Sequence, residues 1–106
     1  MREVAFFRWV SDTCRVRHAH VQHRGRVVRF VVQLEVRFNQ RWHAVRRYDT
    51  AHGFAHCDIL HPDGRTEKLP LAFHDVNEAL TFAEAELRTQ WATEVRRYVE
   101  EAKRSG

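Results

Sequence analysis

Val28-Arg29-Phe30-Val31-Val32-Gln33-Leu34-Glu35-Val36-Arg37-Phe38 alternates with period two. Val28, Phe30, Val32, Leu34, Val36 and Phe38 fall on one face; Arg29, Val31, Gln33, Glu35 and Arg37 fall on the other. Such a strand belongs to an antiparallel sheet covered on one side only. Asn39-Gln40-Arg41 then reads as a three-residue hairpin loop. It pairs Phe38 with Trp42, Val36 with Ala44 and Val32 with Tyr48, and leaves Arg46 as the one misfit on the apolar face. Beyond it, a strand over 54–60, a turn at His61-Pro62-Asp63-Gly64 and a strand over 65–71 continue a meander. On the N-terminal side, Phe6, Phe7, Trp9 and Val10 suit a strand. Residues 14–21 suit another, leading through Gly25 into the long one.

The C-terminal third has a different period. Asp75 is a plausible N-cap with Glu78 three residues on, and Val76, Leu80, Ala83, Leu87, Trp91, Val95, Tyr98 and Ala102 recur at spacings of three and four. The pattern predicts one helix over roughly 75–103, about 42 Å long at 1.5 Å per residue. A compact domain of this length has a radius of gyration of about 13 Å. The helix is therefore expected to overhang, burying Trp91, Val95 and Tyr98 against a second chain in a homodimer or against another protein. The expected fold class is α+β: one domain over 1–106, with a twisted antiparallel sheet (roughly 4–71) packed by one long C-terminal helix.

Length and composition agree with a single soluble domain: 106 residues, 43% hydrophobic and 30% charged. No apolar run approaches the length of about 20 residues that spans a bilayer, and Met1-Arg2-Glu3-Val4 lacks the apolar stretch of a secretory signal. Cys14 and Cys57 stand far apart without a CxxC pair, which suggests a reducing compartment, so a cytoplasmic protein. The net charge of +4 hides a division. Residues 1–48 carry eleven Arg against Glu3, Asp12 and Glu35, whereas residues 49–106 are net acidic. A basic half of this kind suits a polyanion. Arg15, Arg17, Arg24, Arg26 and Arg29, with His18, His20 and His23 among them, form a candidate phosphate-binding strip. The strip lacks the interleaved aromatics of a stacking platform.

Candidate chemistry lies at Arg46-Arg47-Tyr48-Asp49-Thr50-Ala51-His52-Gly53 and just beyond. Arg47 and Asp49 share the polar face of one strand by period two, as do His56 and Asp58 on the next. Arg47 could clamp a phosphate, Asp49 could orient His52, and His52 or His56 could move protons near neutral pH. The plainer alternative is an Asp49 that closes the turn through the Ala51 amide. His52, His56, Cys57, Asp58 and His61 offer ligand types. Their spacing gathers ligands on a helix, however, and this segment reads as loop then strand, so neither a metal nor another cofactor is expected.

The segment RYDTAHGFAHCDILHPDG, residues 47–64, resembles a family of small, mostly uncharacterised prokaryotic proteins with an RYD-x-AHG signature. More distantly it resembles the TumE-type toxins of toxin–antitoxin modules. Tyr48, Asp49, His52 and Gly53 match the signature. The resemblance implies a small toxin-like, nucleic-acid-associated protein with an antitoxin as partner. With the residues above it suggests a metal-independent ribonuclease acting on RNA or single-stranded nucleic acid through Arg47, Asp49, His52 and His56. The alternatives are a non-catalytic nucleic-acid-binding or accessory subunit using the basic half, and an interaction module docking through the long helix.

Overall fold

The structure, a computed structural model, describes residues 1–105, with every side chain among them except that of His52. Six strands run in chain order across one antiparallel sheet: β1 (Arg2–Trp9), β2 (Cys14–His23), β3 (Arg26–Phe38), β4 (Arg41–Asp49), β5 (His56–Leu60) and β6 (Thr66–Pro70). A 3-10 turn at Ala51–Gly53 separates β4 from β5, and helix α1 (Val76–Ser105) follows the sheet. The fold is the expected α+β meander with one C-terminal helix.

The two-faced reading of β3 holds from Phe30 on, with Phe30, Val32, Leu34 and Val36 buried beneath the helix. Val28, expected on the same face, is instead 43% exposed, because a bulge opposite Val21 and Gln22 leaves it unpaired and Val27 packs on the core in its place. The hairpin after it differs from expectation. Asn39 and Gln40 both have positive φ, and Phe38 pairs with Arg41, so the loop has two residues rather than three. A β-bulge at Val45 then takes up the one-residue slip, and Val32 still pairs with Tyr48 as expected. Arg46 does point toward the helix. It donates to the Tyr48 hydroxyl at 2.9 Å and to Glu94 at 3.0 Å, which satisfies a cation on the helix-covered face.

Helix α1 crosses β3 and β4 and buries Ala79, Ala83, Leu87 and Tyr98. Asp75 accepts a hydrogen bond from the Asn77 amide at 2.8 Å, as an N-cap does. The expected overhang is absent. The molecule measures 47 × 26 × 21 Å. The 13-residue strand β3 is itself about 43 Å long at about 3.3 Å per residue, and the helix runs along it, with Asp75 beside Arg26 and Tyr98 beside His43. Tyr98 is 6% exposed and reaches His43, while Trp91 and Val95 pack on the same core. These three residues are therefore engaged within the chain. No helix among the described residues is long and apolar enough to cross a membrane.

Candidate nucleic-acid interface

The helix covers one face of the sheet and leaves the other open. Strand register arranges that open face in rows. One row runs Ala5, Ala19, Val31, Asp49, His56, Pro70; the next runs Phe7, Arg17, Gln33, Arg47, Asp58, Lys68; a third runs Trp9, Arg15, Glu35, Ala44. Residues far apart in sequence meet here because each strand contributes every second side chain.

A connected set of polar contacts crosses five strands. Glu35 accepts from Arg15 at 2.8 Å and from Gln33 at 2.7 Å, with Arg17 3.5 Å away. Arg47 donates to Gln33 at 2.7 Å and lies 3.5 Å from Asp58, which also accepts from Lys68 at 3.1 Å. His56 Nε2 stands 2.9 Å from Asp49 and 3.8 Å from Asp58, and Asp49 takes the Ala51 amide at 3.1 Å. Depth sorts the charges. Glu35, Asp49, Asp58 and His56 are buried, whereas the side chains of Arg17, Arg47 and Lys68 are 51%, 31% and 63% exposed. The carboxylates lie beneath and the cations meet water.

Aromatic rings stand beside these cations. Phe7 and Trp9 are 48% and 56% exposed. The Arg15 guanidinium sits 4.1 Å from the Phe7 centroid and 3.8 Å from that of Trp42, and Trp9 meets Trp42 edge-on at 5.5 Å. At the other side of the face Phe54, 56% exposed, lies 5.8 Å from the His56 ring.

The structure brings together Arg47, Asp49 and His56, as the motif reading expected, with Asp58 among them. The side chain of His52, the other expected catalytic residue, lies outside the described residues. The turn contact from Asp49 to the Ala51 amide is present at the same time as the contact to His56. The basic strip divides. Arg15, Arg17 and Arg29 belong to the open face, while Arg24 sits in the β2–β3 turn and Arg26 reaches Asp75 at 3.3 Å. His18 and His20 take the opposite side. His18 lies under Phe6, bridges Glu84 and His20 at 2.6 Å each, and His20 continues to Gln22. Burial, then His18 and Arg2, holds His20 below its ordinary range. Burial alone would raise the Glu84 carboxyl, but the bonds from His18 and Arg8 outweigh it and hold it low. Cys57 is buried on the helix side, which pushes its thiol up.

Asp49, His56 and Asp58 place three ligand atoms within 4.8 Å of one another. Each is already engaged, and a divalent ion would have to displace Arg47 and Lys68 from Asp58. Phe7, Trp9, Trp42, Phe54, Glu35 and Lys68 were not singled out from the sequence as parts of a site. A signal existed for two of them: Phe7 and Trp9 share a parity that a β1–β2 hairpin sets opposite Arg17 and Arg15.

An open meander with a helix on one side and an aromatic, cationic surface on the other places the chain in the α+β class. The chain belongs to the family described as Domain of unknown function (DUF7718), whose profile matches residues 1–104. No curated protein and no solved structure matches it.

Proposed function

We propose that the protein binds single-stranded RNA on the open face of the sheet. The observation that carries this reading is the pairing of half-exposed Phe7 and Trp9 with Arg15 and Arg17 on a surface the helix leaves uncovered. Unpaired bases stack on aromatic rings, while arginine and lysine side chains follow the phosphates. Duplex RNA hides its base faces and should bind less well. Three solvent-facing cations, Arg17, Arg47 and Lys68, lie along one row. Three phosphate contacts on a single strand give a log–log salt slope of about −2. Affinity for a labelled single-stranded RNA, read by fluorescence anisotropy, should therefore weaken about 20-fold between 50 and 200 mM salt. Absent binding at 50 mM, or equal affinity for a duplex, would refute the reading.

A second reading adds cleavage, favoured by the 2.9 Å contact between Asp49 and His56 beside Arg47 and Lys68. Asp49 would orient the imidazole, His56 would take the proton of a ribose 2′-hydroxyl, and the two cations would neutralise the phosphate under attack. The 2′-oxygen would close a 2′,3′-cyclic phosphate as the P–O5′ bond breaks, and the 5′-oxygen would leave with a proton from water. His56 is 5% exposed, so this chemistry requires Phe54 to move aside, and binding comes first. An antitoxin-regulated inhibitor of growth, as the more distant TumE-type resemblance implies, would use the same surface on cellular RNA.

A further inference from the structure

Small side chains make a valley in the open face. Ala5, Ala19 and Val31 are cross-strand partners on β1, β2 and β3, and their row ends at Asp49. The row beyond them holds Glu3, Val21 and Arg29, and the row before them holds Phe7 and Arg17. Longer side chains, Glu3, Val21 and Arg29, thus stand on one side of an alanine floor. The result is a cleft of about 420 Å³, within the range of about 300–1,000 Å³ usual for small-ligand sites. Glu3 and Arg29 line it, and Asp49, Thr50 and Ala51 close its β4 end.

From this juxtaposition we infer that the cleft takes one unstacked guanine nucleotide of the bound RNA, an inference that rests on the open-face reading. The floor is apolar and suits the face of a ring. Glu3, exposed on the edge strand, offers a carboxylate that only accepts hydrogen bonds. Guanine presents two adjacent donors, N1–H and N2–H₂, on its Watson–Crick edge. Adenine, cytosine and uracil each present an acceptor beside a donor there, so only guanine matches both carboxylate oxygens. Arg29 is positioned to take a phosphate of the same nucleotide. The strand then continues past Asp49 and His56 toward Arg47 and Lys68, neighbours of the cleft in the register.

The test compares an all-uridine oligonucleotide with the same strand carrying one central guanine, at 50 mM salt. A single guanine should tighten binding about tenfold, the size of one good bidentate pair. Glu3→Gln replaces one acceptor oxygen with a donor, so it should abolish this preference, read as the ratio of the two affinities, because losing a negative charge beside the phosphates strengthens both strands alike. Ala19→Leu, which fills the floor, should do the same. Glu3 is exposed, so its variant folds even if the leucine does not. If uridine binds and guanine adds nothing, or Glu3→Gln keeps the preference, the cleft assignment falls and the open-face reading stands. If neither strand binds, the open-face reading itself is wrong.

Discussion

Replacing Trp9 by alanine should weaken RNA binding without unfolding the protein. Trp9 is 56% exposed, meets Trp42 edge-on at 71° and has the Arg15 guanidinium 5.8 Å from its centroid, so most of the indole is accessible to a base. Phe7 is more constrained, since the Arg15 guanidinium lies 4.1 Å from its centroid. Alanine substitution of a stacking aromatic costs about 1–3 kcal/mol per base, or roughly 5- to 150-fold in affinity. The accessible indole of Trp9 puts its loss at about tenfold or more, and the partly covered Phe7 near the low end. Stability falls for a separate reason. Somewhat less than half of the indole is buried, roughly 100 Å² of apolar surface, worth at most about 2.5 kcal/mol. Circular dichroism then shows a folded variant at 25 °C while anisotropy with single-stranded RNA reads the binding loss. Phe82→Ala is the control, since Phe82 is an exposed aromatic on the helix, packed against Tyr48 and Phe73. Unchanged affinity in a folded Trp9→Ala, or an equal loss in Phe82→Ala, would refute the stacking argument.

If RNA is cleaved, His56→Gln should lower the rate by roughly 10²–10⁴-fold, and Asp49→Asn should follow it; gel analysis of a labelled RNA checks both, and full activity in a folded His56→Gln would end the cleavage reading. His61 supplies a pH signature of stability: its ring bridges Glu101 at 2.8 Å and Glu67 at 2.6 Å, and these bonds raise its pKa above 6.5. The stabilisation is full below the unfolded value near 6.5 and is lost as pH rises through the folded value. The melting temperature of wild type should thus exceed that of His61→Gln at pH 6 by the equivalent of about 1 kcal/mol, since Glu67 is largely exposed, with the gap closing by pH 9. A gap that widens with pH would contradict the bridge.

The sheet was readable in β3 because Phe30, Val32, Leu34 and Val36 recur at every second position, even though Val31 on the other face is also apolar. The hairpin loop length was not, because the Val45 bulge hides a two-residue loop inside a pairing that matches a three-residue one further along. Bulges leave no mark in hydrophobic pattern when the extra residue is itself a buried valine. The helix stripe was legible, but its destination was not. Length alone suggested an overhang, whereas the helix runs along β3, itself about 43 Å long at about 3.3 Å per residue, within a molecule 47 Å in extent. At the site, period two correctly grouped Arg47, Asp49, His56 and Asp58, since β4 and β5 are neighbours in sequence. The cationic strip was read as one surface although Arg26 sits across from Asp75, because the turn at Arg24 and Gly25 reverses the chain within it. Aromatics seemed missing from that strip for a related reason. They lie on β1, and only the β1–β2 register brings Phe7 and Trp9 beside Arg17 and Arg15.

The three tryptophans provide the most direct test of the open face as an RNA surface. Trp9 and Trp42 belong to that face, and Trp91 packs from the helix onto the opposite one. Their indole N–H signals can be followed separately by NMR as unlabelled single-stranded RNA is added to nitrogen-15-labelled protein. The signals of Trp9 and Trp42 should move progressively to saturation while that of Trp91 stays in place. A moving Trp91 with Trp9 and Trp42 unshifted would put the RNA on the helix side and contradict the account.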